Sequence, residues 1–518
     1  MSITTEVILR PGQSDDYQSL LAAALRSTGL GPGAVDRLTI EKKSIDSRRR
    51  ETRICFKVRL YAPGESLPPQ SRFTLGDVSG APEVIVVGSG PAGLFAALQL
   101  IELGLKPVVL ERGGPVEERR TAITAMHRSG IVDPVNNYCF GEGGAGTYSD
   151  GKLYTRSTKR GDLPKVLNTF VRSGADAGIL YEAHPHLGSE KLPSIVRSIR
   201  SLITSCGGIV RFNTKVTSLL SGQVLTVSGV ATESGEQLRG PVILATGHSA
   251  FDVYHFLDAQ GVQLQSKGIA VGVRLEHPRE LIDSIQYNGR PQFLPPAEYS
   301  FVTQVRGRGV YSFCMCPGGV VVPAMTETGT VNVNGMSASA RSGRFSNSAM
   351  VVEIRPEDLP ARFSGVFGML DFVRTLQKRT FDFSSGSMSA PGQLMADFVN
   401  KQPNRTLIRT SYMNGVVPAD LNRLLPEGIA CRLREGFWNF GSKAPGFLTN
   451  DALMIASETL TSSPVRIVRD ARSLMSRPGL FPCAEGAGYA GGIVSAALDG
   501  MNCALAVAEY LGRSMPRA

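Results

Sequence analysis

Hydrophobic positions are arranged most regularly between residues 84 and 111. An apolar run, Val84–Val87, ends in a glycine-rich turn and is followed by an Ala/Leu-rich stretch from about Pro91 to Leu103. A second apolar run, Pro107–Leu110, ends at an acid, Glu111. Short unbroken apolar runs are typical of buried parallel strands, and the Ala/Leu-rich stretch between them is typical of a helix. The pattern predicts a strand–helix–strand unit.

The turn after the first run has G-x-G-x-x-G spacing. The first glycine allows a tight turn, the second lets the backbone approach a pyrophosphate, and the third lets the helix pack closely on the strand. The helix N-terminus favours negative charge, and an acid at the end of the second strand accepts hydrogen bonds from ribose hydroxyls. The alternative is a glycine-rich turn that only happens to enter a helix, but strand, spacing and acid all agree. We therefore predict an adenine dinucleotide site formed by Gly88, Gly90, Pro91, Ala92, Gly93, Glu111 and Arg112.

Two later segments narrow the choice of dinucleotide. Val242–Leu244 is a short apolar strand that ends in a small-residue turn, and Gly479–Pro482 leads into an acidic, glycine-rich turn and then a helix. Together with the first unit, these elements resemble the FAD-binding fold of glutathione-reductase type. The resemblance implies FAD as the cofactor, with Glu485 in the place of the usual Asp. It adds to the binding set Ala245, Thr246, Gly247, Glu485, Gly486, Gly492 and Ile493.

A third glycine-rich segment lies between these elements, with four glycines within Gly141–Gly146. So many glycines favour close backbone approach to a ligand, although a flexible surface loop is the alternative. In the fold that the chain resembles, the corresponding loop passes the isoalloxazine ring. By the same analogy a residue after Phe212 contacts the adenine through its backbone. The resemblance thus implies further contacts from Gly144, Ala145, Gly146, Thr147 and Val216.

Longer motifs make the resemblance more specific. They include F-G-E-G-G-A-G-T-x-S-D-G-K-L from Phe140, F-C-M-C-P-G-G from Phe313 and E-G-A-G-Y-A-G-G-I from Glu485. Over nearly its whole length the chain is similar to a broad, poorly characterised family of FAD-dependent dehydrogenases, NAD(P)/FAD-dependent oxidoreductases that carry a small N-terminal domain. The resemblance implies an α/β fold and FAD, and leaves the reaction open.

The remaining pattern predicts the domain organisation. Strands at 3–10 and 37–61 and an amphipathic helix from about Asp15 to Ser27 form a small N-terminal α+β module, followed by a linker rich in Pro, Gly and Ser at 62–82. A helical insertion is expected at 163–205. Valine-rich strands, at 270–275, 319–323, 330–334 and 351–354, suggest a β-rich substrate-binding domain. The predicted domains are 1–74 for the module with linker, 83–249 and 464–518 for the Rossmann-like FAD-binding domain, and 250–463 for the inserted substrate-binding domain.

Composition is consistent with this organisation. A chain of 518 residues is too long for one compact core, and 42% hydrophobic with 19% charged residues is typical of a globular protein. The N-terminus lacks the features of a secretory signal, and no apolar run is long enough to span a bilayer, so we expect a cytoplasmic protein. The eight cysteines have neither zinc-site nor disulfide-framework spacing, so no metal is expected. Cys314 and Cys316 are the only close pair; on an extended strand they share a face, and core packing is favoured over a redox role.

Charge adds little to the choice of partner. The net charge of +10 is compatible with an anionic substrate, a nucleic acid or nothing specific. The densest basic run, residues 41–50, is interpreted as a solvated strand edge or hairpin, with polyanion or partner binding as the alternative.

The G-x-G-x-x-G spacing recurs at Gly141–Gly146 and Gly486–Gly491, but neither stretch belongs to a second strand–helix–strand unit that ends in an acid, so no separate nicotinamide domain is predicted. The flavin is then reduced by a substrate C–H bond or by NAD(P)H that binds transiently, and we predict a dehydrogenase that moves a hydride between flavin N5 and a small organic substrate. A flavin-dependent RNA-modifying enzyme and a flavin-bearing redox sensor or assembly factor with a protein partner are the alternatives. No residue is identified as catalytic. The candidates for orienting a substrate are Lys152, His186, Arg274, Tyr412 and Arg466.

Overall fold

The computed structural model describes residues 2–13, 16–49, 51–155, 161–222, 225–289, 292–384, 386–403 and 407–513. Asp15, at the start of the predicted N-terminal helix, and Arg50, at the end of the basic run, lie outside the described residues.

The strands in chain order are β1 Ile3–Leu9, β2 Arg37–Asp46, β3 Arg53–Tyr61, β4 Glu83–Val87, β5 Lys106–Leu110, β6 Ile209–Arg211, β7 Val216–Ser221, β8 Val227–Thr232, β9 Gln237–Arg239, β10 Val242–Leu244, β11 Leu264–Ser266, β12 Ile269–Pro278, β13 Val302–Val305, β14 Arg308–Cys316, β15 Val320–Pro323, β16 Val333–Met336, β17 Phe345–Ile354, β18 Ala390–Leu394, β19 Val416–Pro418, β20 Leu453–Glu458, β21 Val465–Ile467 and β22 Leu480–Pro482.

The α-helices are α1 Tyr17–Thr28, α2 Pro91–Glu102, α3 Val116–Ser129, α4 Leu163–Arg172, α5 Leu192–Ser205, α6 Phe251–Ala259, α7 Arg279–Gln286, α8 Gly368–Phe383, α9 Met395–Val399, α10 Leu421–Leu424, α11 Glu427–Lys443 and α12 Ile493–Tyr510.

The N-terminal residues form a three-stranded antiparallel sheet, in the order β1-β3-β2, with α1 packed against it. Asp16 begins α1 by accepting from the backbone N–H of Ser19 at 2.9 Å, and Gly29 ends it in the left-handed conformation. Strand β2 also bonds to the rest of the chain, because the backbone N–H of Lys43 donates to the Tyr181 carbonyl at 2.7 Å. The module is therefore attached by backbone hydrogen bonds as well as by its linker.

A five-stranded parallel sheet, in the order β22-β10-β4-β5-β6, forms the first large core. Val87, Leu110, Leu244 and Pro482 are neighbours in register at the carboxyl ends of their strands. The turns that follow these strands therefore meet at one edge of the sheet, where open α/β sheets bind ligands. Helices α2 and α12 cross closely beside the sheet, since a Cβ at Gly500 would lie only 2.1 Å from the Ala92 carbonyl oxygen.

A seven-stranded sheet, in the order β13-β14-β17-β12-β20-β18-β19, forms the second large core. Its pairings are antiparallel except for β18 with β19. Two long helices, α8 and α11, contribute to the same core, so the segment is more helical than the valine-rich strands indicate. The strand predicted at 330–334 begins only at Val333. The side chain of the preceding Asn332 accepts from the backbone N–H of Thr459 at 2.9 Å.

Candidate functional site

A cavity of about 370 Å³ opens where the carboxyl edge of the parallel sheet meets the seven-stranded sheet. One wall is formed by the turns after β4, β5, β10 and β22 and by the glycine-rich loop. Most of the residues predicted to bind the cofactor line this wall: Gly88, Gly90, Pro91, Ala92, Glu111, Arg112, Gly144, Ala145, Gly146, Val216, Ala245, Thr246, Gly247, Glu485, Gly492 and Ile493.

The three glycines of the first turn differ in what surrounds them. Gly88 has a φ of 104°, and a Cβ there would lie 2.4 Å from the Ala245 carbonyl oxygen. A Cβ at Gly93 would lie 1.9 Å from the Gly88 carbonyl oxygen, so this glycine is needed for packing of the turn on the helix. Gly90 lines the cavity, and apart from its chain neighbours no heavy atom of the described residues lies within 4 Å of its Cβ position. Its open side is where a ligand can approach the backbone.

Glu111 lines the cavity and is only 5% exposed. One carboxylate oxygen accepts from the Ser89 backbone N–H at 3.0 Å and from the Ser89 hydroxyl at 2.8 Å, and the other accepts from the Gly113 backbone N–H at 3.0 Å. The acid therefore holds the glycine turn in place, a role that its position in the sequence did not indicate. The Gly141 backbone N–H also donates to the second carboxylate oxygen, at 3.3 Å. The roughly four lone-pair sites of the carboxylate are therefore occupied, and a ribose hydroxyl would have to replace one of these donors.

Arg112, the next residue, has its guanidinium 4.5 Å from the centroid of the Phe140 ring and forms an ion pair with Asp252 at 3.0 Å.

The glycine-rich loop closes over the first turn. Gly144–Gly146 form a short 3-10 helix, and a Cβ at Gly146 would lie 3.3 Å from Pro91 and 3.5 Å from Ile493. Thr147, by contrast, is 1% exposed, and its hydroxyl donates to the Glu142 carbonyl at 3.0 Å.

Three residues of the predicted binding set do not line the cavity: Gly93, Thr147 and Gly486. The last packs against Gly247, whose carbonyl oxygen would lie 2.6 Å from a Cβ at Gly486. These residues shape the wall from behind.

His248 is a cavity residue that the sequence reasoning missed. Its Nδ1 lies 3.4 Å from a Glu485 carboxylate oxygen. Burial disfavours the charged imidazole, but the attraction of Glu485 outweighs it and raises the pKa of His248. Its position directly after the Ala245–Gly247 turn was the available signal.

The opposite wall comes from the seven-stranded sheet and the β15–β16 hairpin. It comprises Phe313, Cys314, Asn334, Glu458, Leu460 and Thr461. Glu458 is 3% exposed and pairs with Arg274 at 3.1 Å, and burial raises the pKa of Glu458 to about 7 in spite of that guanidinium. The sequence reasoning did not identify Glu458, although an acid at the end of the apolar run Leu453–Ala456 was a signal for it.

Of the five candidates for substrate orientation, Lys152 lines the cavity, and its ammonium contacts the Met315 carbonyl. The other four do not line it. His186 faces the Ser339 carbonyl at 3.1 Å, and burial lowers the pKa of His186. The Tyr412 hydroxyl donates to the Met388 carbonyl at 2.8 Å.

Arg466 and Arg274 also have partners away from the cavity surface. The Arg466 guanidinium lies 5.3 Å from the centroid of the Tyr489 ring. Arg274 is fully buried behind Glu458 and Cys314.

Among the described residues, one group has ligand types suited to a metal: Cys483, Asp499 and Cys503. The Arg469 guanidinium donates to the two Asp499 carboxylate oxygens at 2.7 and 2.9 Å and lies 3.6 Å from the Cys503 sulfur. A side-chain cation therefore already neutralises this group.

Comparisons with known proteins identify the family of this chain and its cofactor. A family model described as an FAD binding domain matches residues 83–133, and one described as FAD-dependent protein, C-terminal domain-like, matches residues 268–461. An uncharacterised protein of Clostridium beijerinckii is 37% identical over 527 residues, which covers 96% of this chain and 96% of that protein. This chain belongs to a family of FAD-dependent proteins. The predicted cofactor, FAD, and the assignment to FAD-binding oxidoreductases are thereby confirmed. Residues 1–61 match a domain of unknown function.

The solved structures that match this chain are distant from it. CtdE in complex with FAD has a TM-score of 0.34 and 11% identity, covering 83% of this chain and 85% of that chain. A geranylgeranyl bacteriochlorophyll reductase-like protein from Thermoplasma acidophilum has a TM-score of 0.37 and 13% identity, with 84% and 80% covered. A flavocytochrome c3 fumarate reductase has a TM-score of 0.36 and 12% identity, with 83% and 79% covered. At such scores the likeness does not bear on the reaction.

Across the described part of the chain, no helix combines the length and the apolar character needed to cross a membrane.

Proposed function

We propose that this protein is an FAD-dependent dehydrogenase that moves a hydride between flavin N5 and a small organic substrate, with transient NAD(P)H as a second possible hydride donor. The observation that carries the proposal is a single cavity with two walls of different origin. The glycine turn and its supporting acid line one wall, and Lys152, Cys314 and Glu458 belong to the rest of the lining. A bound cofactor and a substrate can therefore share one enclosure, as hydride transfer requires.

The proposed FAD site follows the lining of the first wall. Gly88, Gly90 and the N-terminus of α2 would face the pyrophosphate, because α2 begins at Pro91 and its first backbone N–H groups are available to an anion. Glu111 would accept from the adenosine ribose, and Val216 would lie beside the adenine. Gly144–Gly146 and the start of α12 at Ile493 would lie beside the isoalloxazine ring. We retain the glutathione-reductase-type arrangement as part of this proposal. When bound, FAD supplies the hydride acceptor, and the protein supplies position and electrostatics.

The chain's own residues then determine what else the cavity accepts. Lys152 would attract an anionic group of a substrate, since an ammonium is a compact point charge. Glu458 is suited to holding or releasing a proton near neutral pH, because burial places its pKa at about 7. His248 and Glu485 form a polar pair on the first wall. We place the ribityl chain of FAD beside this pair. We propose a small anionic organic molecule as the substrate class.

The test is an anaerobic titration of the purified holoprotein with NADH and NADPH, following the visible flavin band. Rapid bleaching would identify a reductase supplied by nicotinamide. If NADH and NADPH do not bleach the flavin band, the same assay is repeated with small hydroxy acids, amino acids and other anionic organic reductants. We expect one of these to reduce the flavin. A flavin that stays oxidised with every organic donor while dithionite reduces it would contradict the proposed hydride transfer.

The two alternatives make different predictions. An RNA-modifying enzyme requires tRNA binding that weakens steeply as the salt concentration rises. If no such binding is measured, this alternative is excluded. A sensor or assembly factor requires a protein partner that is retained through residues 1–61. The basic run offers limited support for either, because Arg48 is paired with Asp46 at 2.8 Å and Glu41 pairs with Lys57 and Arg59 at 3.3 and 2.6 Å.

A further inference from the structure

Cys314 and Cys316 lie where strand β14 departs from regular geometry. The pairing of β14 with β17 shifts between Phe313 and Cys316, and Cys314 has a φ of 47°. An extended strand would have placed the two cysteines together on one face, as the sequence predicted. The bulge instead brings Cys314 into the lining of the cavity, while Cys316 is fully buried behind it. The expectation that both are simple core residues is therefore wrong for Cys314.

Both cysteines are held by the same buried cation. Arg274 Nη2 donates to the Cys314 carbonyl at 2.7 Å and to the Cys316 sulfur at 3.3 Å. A glycine makes room for it, since a Cβ at Gly335 would lie 2.1 Å from that nitrogen. The Arg274 guanidinium is also paired with Glu458, so a positive charge, an acid and two sulfurs form one cluster at the cavity wall. A nearby guanidinium favours thiolate over thiol, which is the reactive form of cysteine.

The two thiols also interact with each other. The Cys316 thiol donates to the Cys314 carbonyl at 3.5 Å, and the interaction between the two side chains, together with Arg274 and Lys152, holds the pKa of Cys314 below its usual value. The interaction with the Cys314 side chain, followed by burial, raises the pKa of Cys316. Cys314 therefore lies at the cavity and has the lowered pKa, whereas Cys316 is enclosed and has the raised pKa. This asymmetry is the arrangement of an attacking thiolate and a resolving thiol.

We propose that Cys314 and Cys316 are a redox-active pair that cycles between a dithiol and an internal disulfide at the wall of the FAD cavity. The inference rests on the proposed placement of FAD in this cavity. Core packing alone does not require a thiol in the cavity lining, an Arg274 donor on the second sulfur, or an acid beside them.

The proposed step balances as follows. Two S–H bonds break and one S–S bond forms, so the pair releases two electrons and two protons. FAD is the oxidant and takes up both electrons and both protons to become FADH2. Glu458 is placed to accept one proton in transit, because it lies in the same cluster. The reverse step returns the electrons from FADH2 to the disulfide and restores the two thiols.

Trypsin isolates the pair on one peptide, which makes a direct test possible. Cleavage after Arg308 and Arg341 releases residues 309–341, whose only cysteines are Cys314 and Cys316. Two samples are compared: air-oxidised holoprotein, and anaerobic holoprotein reduced with dithionite. Each is alkylated with iodoacetamide and digested, and the peptide masses are measured by mass spectrometry. We expect the oxidised sample to carry an unalkylated peptide lighter by two hydrogens than the dithiol, and the reduced sample to carry two alkyl groups.

A dithionite titration of the same holoprotein gives an independent readout. We expect two two-electron equivalents per bound flavin, one for FAD and one for the disulfide, and a single equivalent in Cys314→Ser and in Cys316→Ser. Cys206→Ser is the matched control, since Cys206 follows α5 outside the cavity lining, and it should keep both equivalents. If the wild type takes up one equivalent per flavin and both thiols are alkylated in every state, the proposal of a redox-active pair is wrong. That result would leave the proposed substrate reaction standing, because flavin reduction by organic donors is measured separately.

Discussion

Adding a side chain at two glycines of the same turn should have different effects, a loss of stability at Gly93 and a loss of FAD affinity at Gly90. Gly93→Ala places a Cβ 1.9 Å from the Gly88 carbonyl oxygen, although real Cβ atoms essentially never come within 3.0 Å of another heavy atom. The obstacle is backbone, so either the turn or α2 must move. Such overpacking destabilises by about 1–3 kcal/mol, against a gain of about 1 kcal/mol for Ala over Gly within a helix. We expect a net loss in the free energy of unfolding.

Gly90→Val should instead leave the apoprotein intact. Gly90 has φ −72° and ψ −177°, which any L-residue adopts, and its Cβ position has no neighbour within 4 Å. The valine would project into the cavity where we place the pyrophosphate. If crowding of that contact costs about 1–3 kcal/mol, the dissociation constant for FAD rises roughly 5- to 150-fold.

The two effects are separated by two assays on apoprotein. Urea unfolding, followed by circular dichroism, measures stability, and quenching of flavin fluorescence during an FAD titration measures affinity. We expect Gly93→Ala to lower the urea midpoint, and Gly90→Val to keep the wild-type midpoint while losing FAD affinity. Wild-type affinity in Gly90→Val, or an equal loss of stability in both variants, would refute the assignment of the turn.

Further predictions concern two buried acids of the cavity lining, Glu111 and Glu458, and the cysteine pair. Glu111→Ala should lower both FAD occupancy and stability, the latter by about 1–3 kcal/mol, because the buried Ser89 backbone N–H loses its acceptor; Glu111→Gln, which keeps an oxygen acceptor, should lose less, and equal losses in urea unfolding would contradict this reason. Glu458 should make stability fall as pH rises from about 4.5 to 7, since the folded protein there retains a proton that the unfolded chain releases. Melting temperatures of wild type and Glu458→Gln between pH 5 and 8 check this, and a parallel pH dependence in both would show that Glu458 is not the titrating group. The dithionite equivalents of Cys314→Ser and Cys206→Ser should differ as described above.

The carboxyl edge of the parallel sheet could be predicted because its signals are local. The glycine turn, the acid after β5 and the turns after β10 and β22 each follow a short apolar run. Parallel strands place their carboxyl ends together, so the residues after them meet without further information. The sequence could not show that Glu111 accepts from Ser89 and Gly113, since that depends on the path of the turn.

The opposite wall could not be predicted in the same way. Arg274 and Glu458 are 184 positions apart and meet only because β12 pairs with β20. Cys314 faces the cavity because of a bulge, and an alternating strand pattern carries no sign of it. Helix α8 does have apolar residues at helical spacing, such as Met369, Phe372 and Leu376. The valine-rich runs around α8 and α11 are the stronger pattern and favour strands.

The most direct test of the central claim is the identity of the flavin that the purified protein releases. After heat denaturation, the supernatant should contain FAD in an amount close to one per chain, because we place an adenosine ribose at the Glu111 end of the cavity. Release of FMN instead, or an apoprotein that binds no added FAD in the fluorescence titration, would contradict the account.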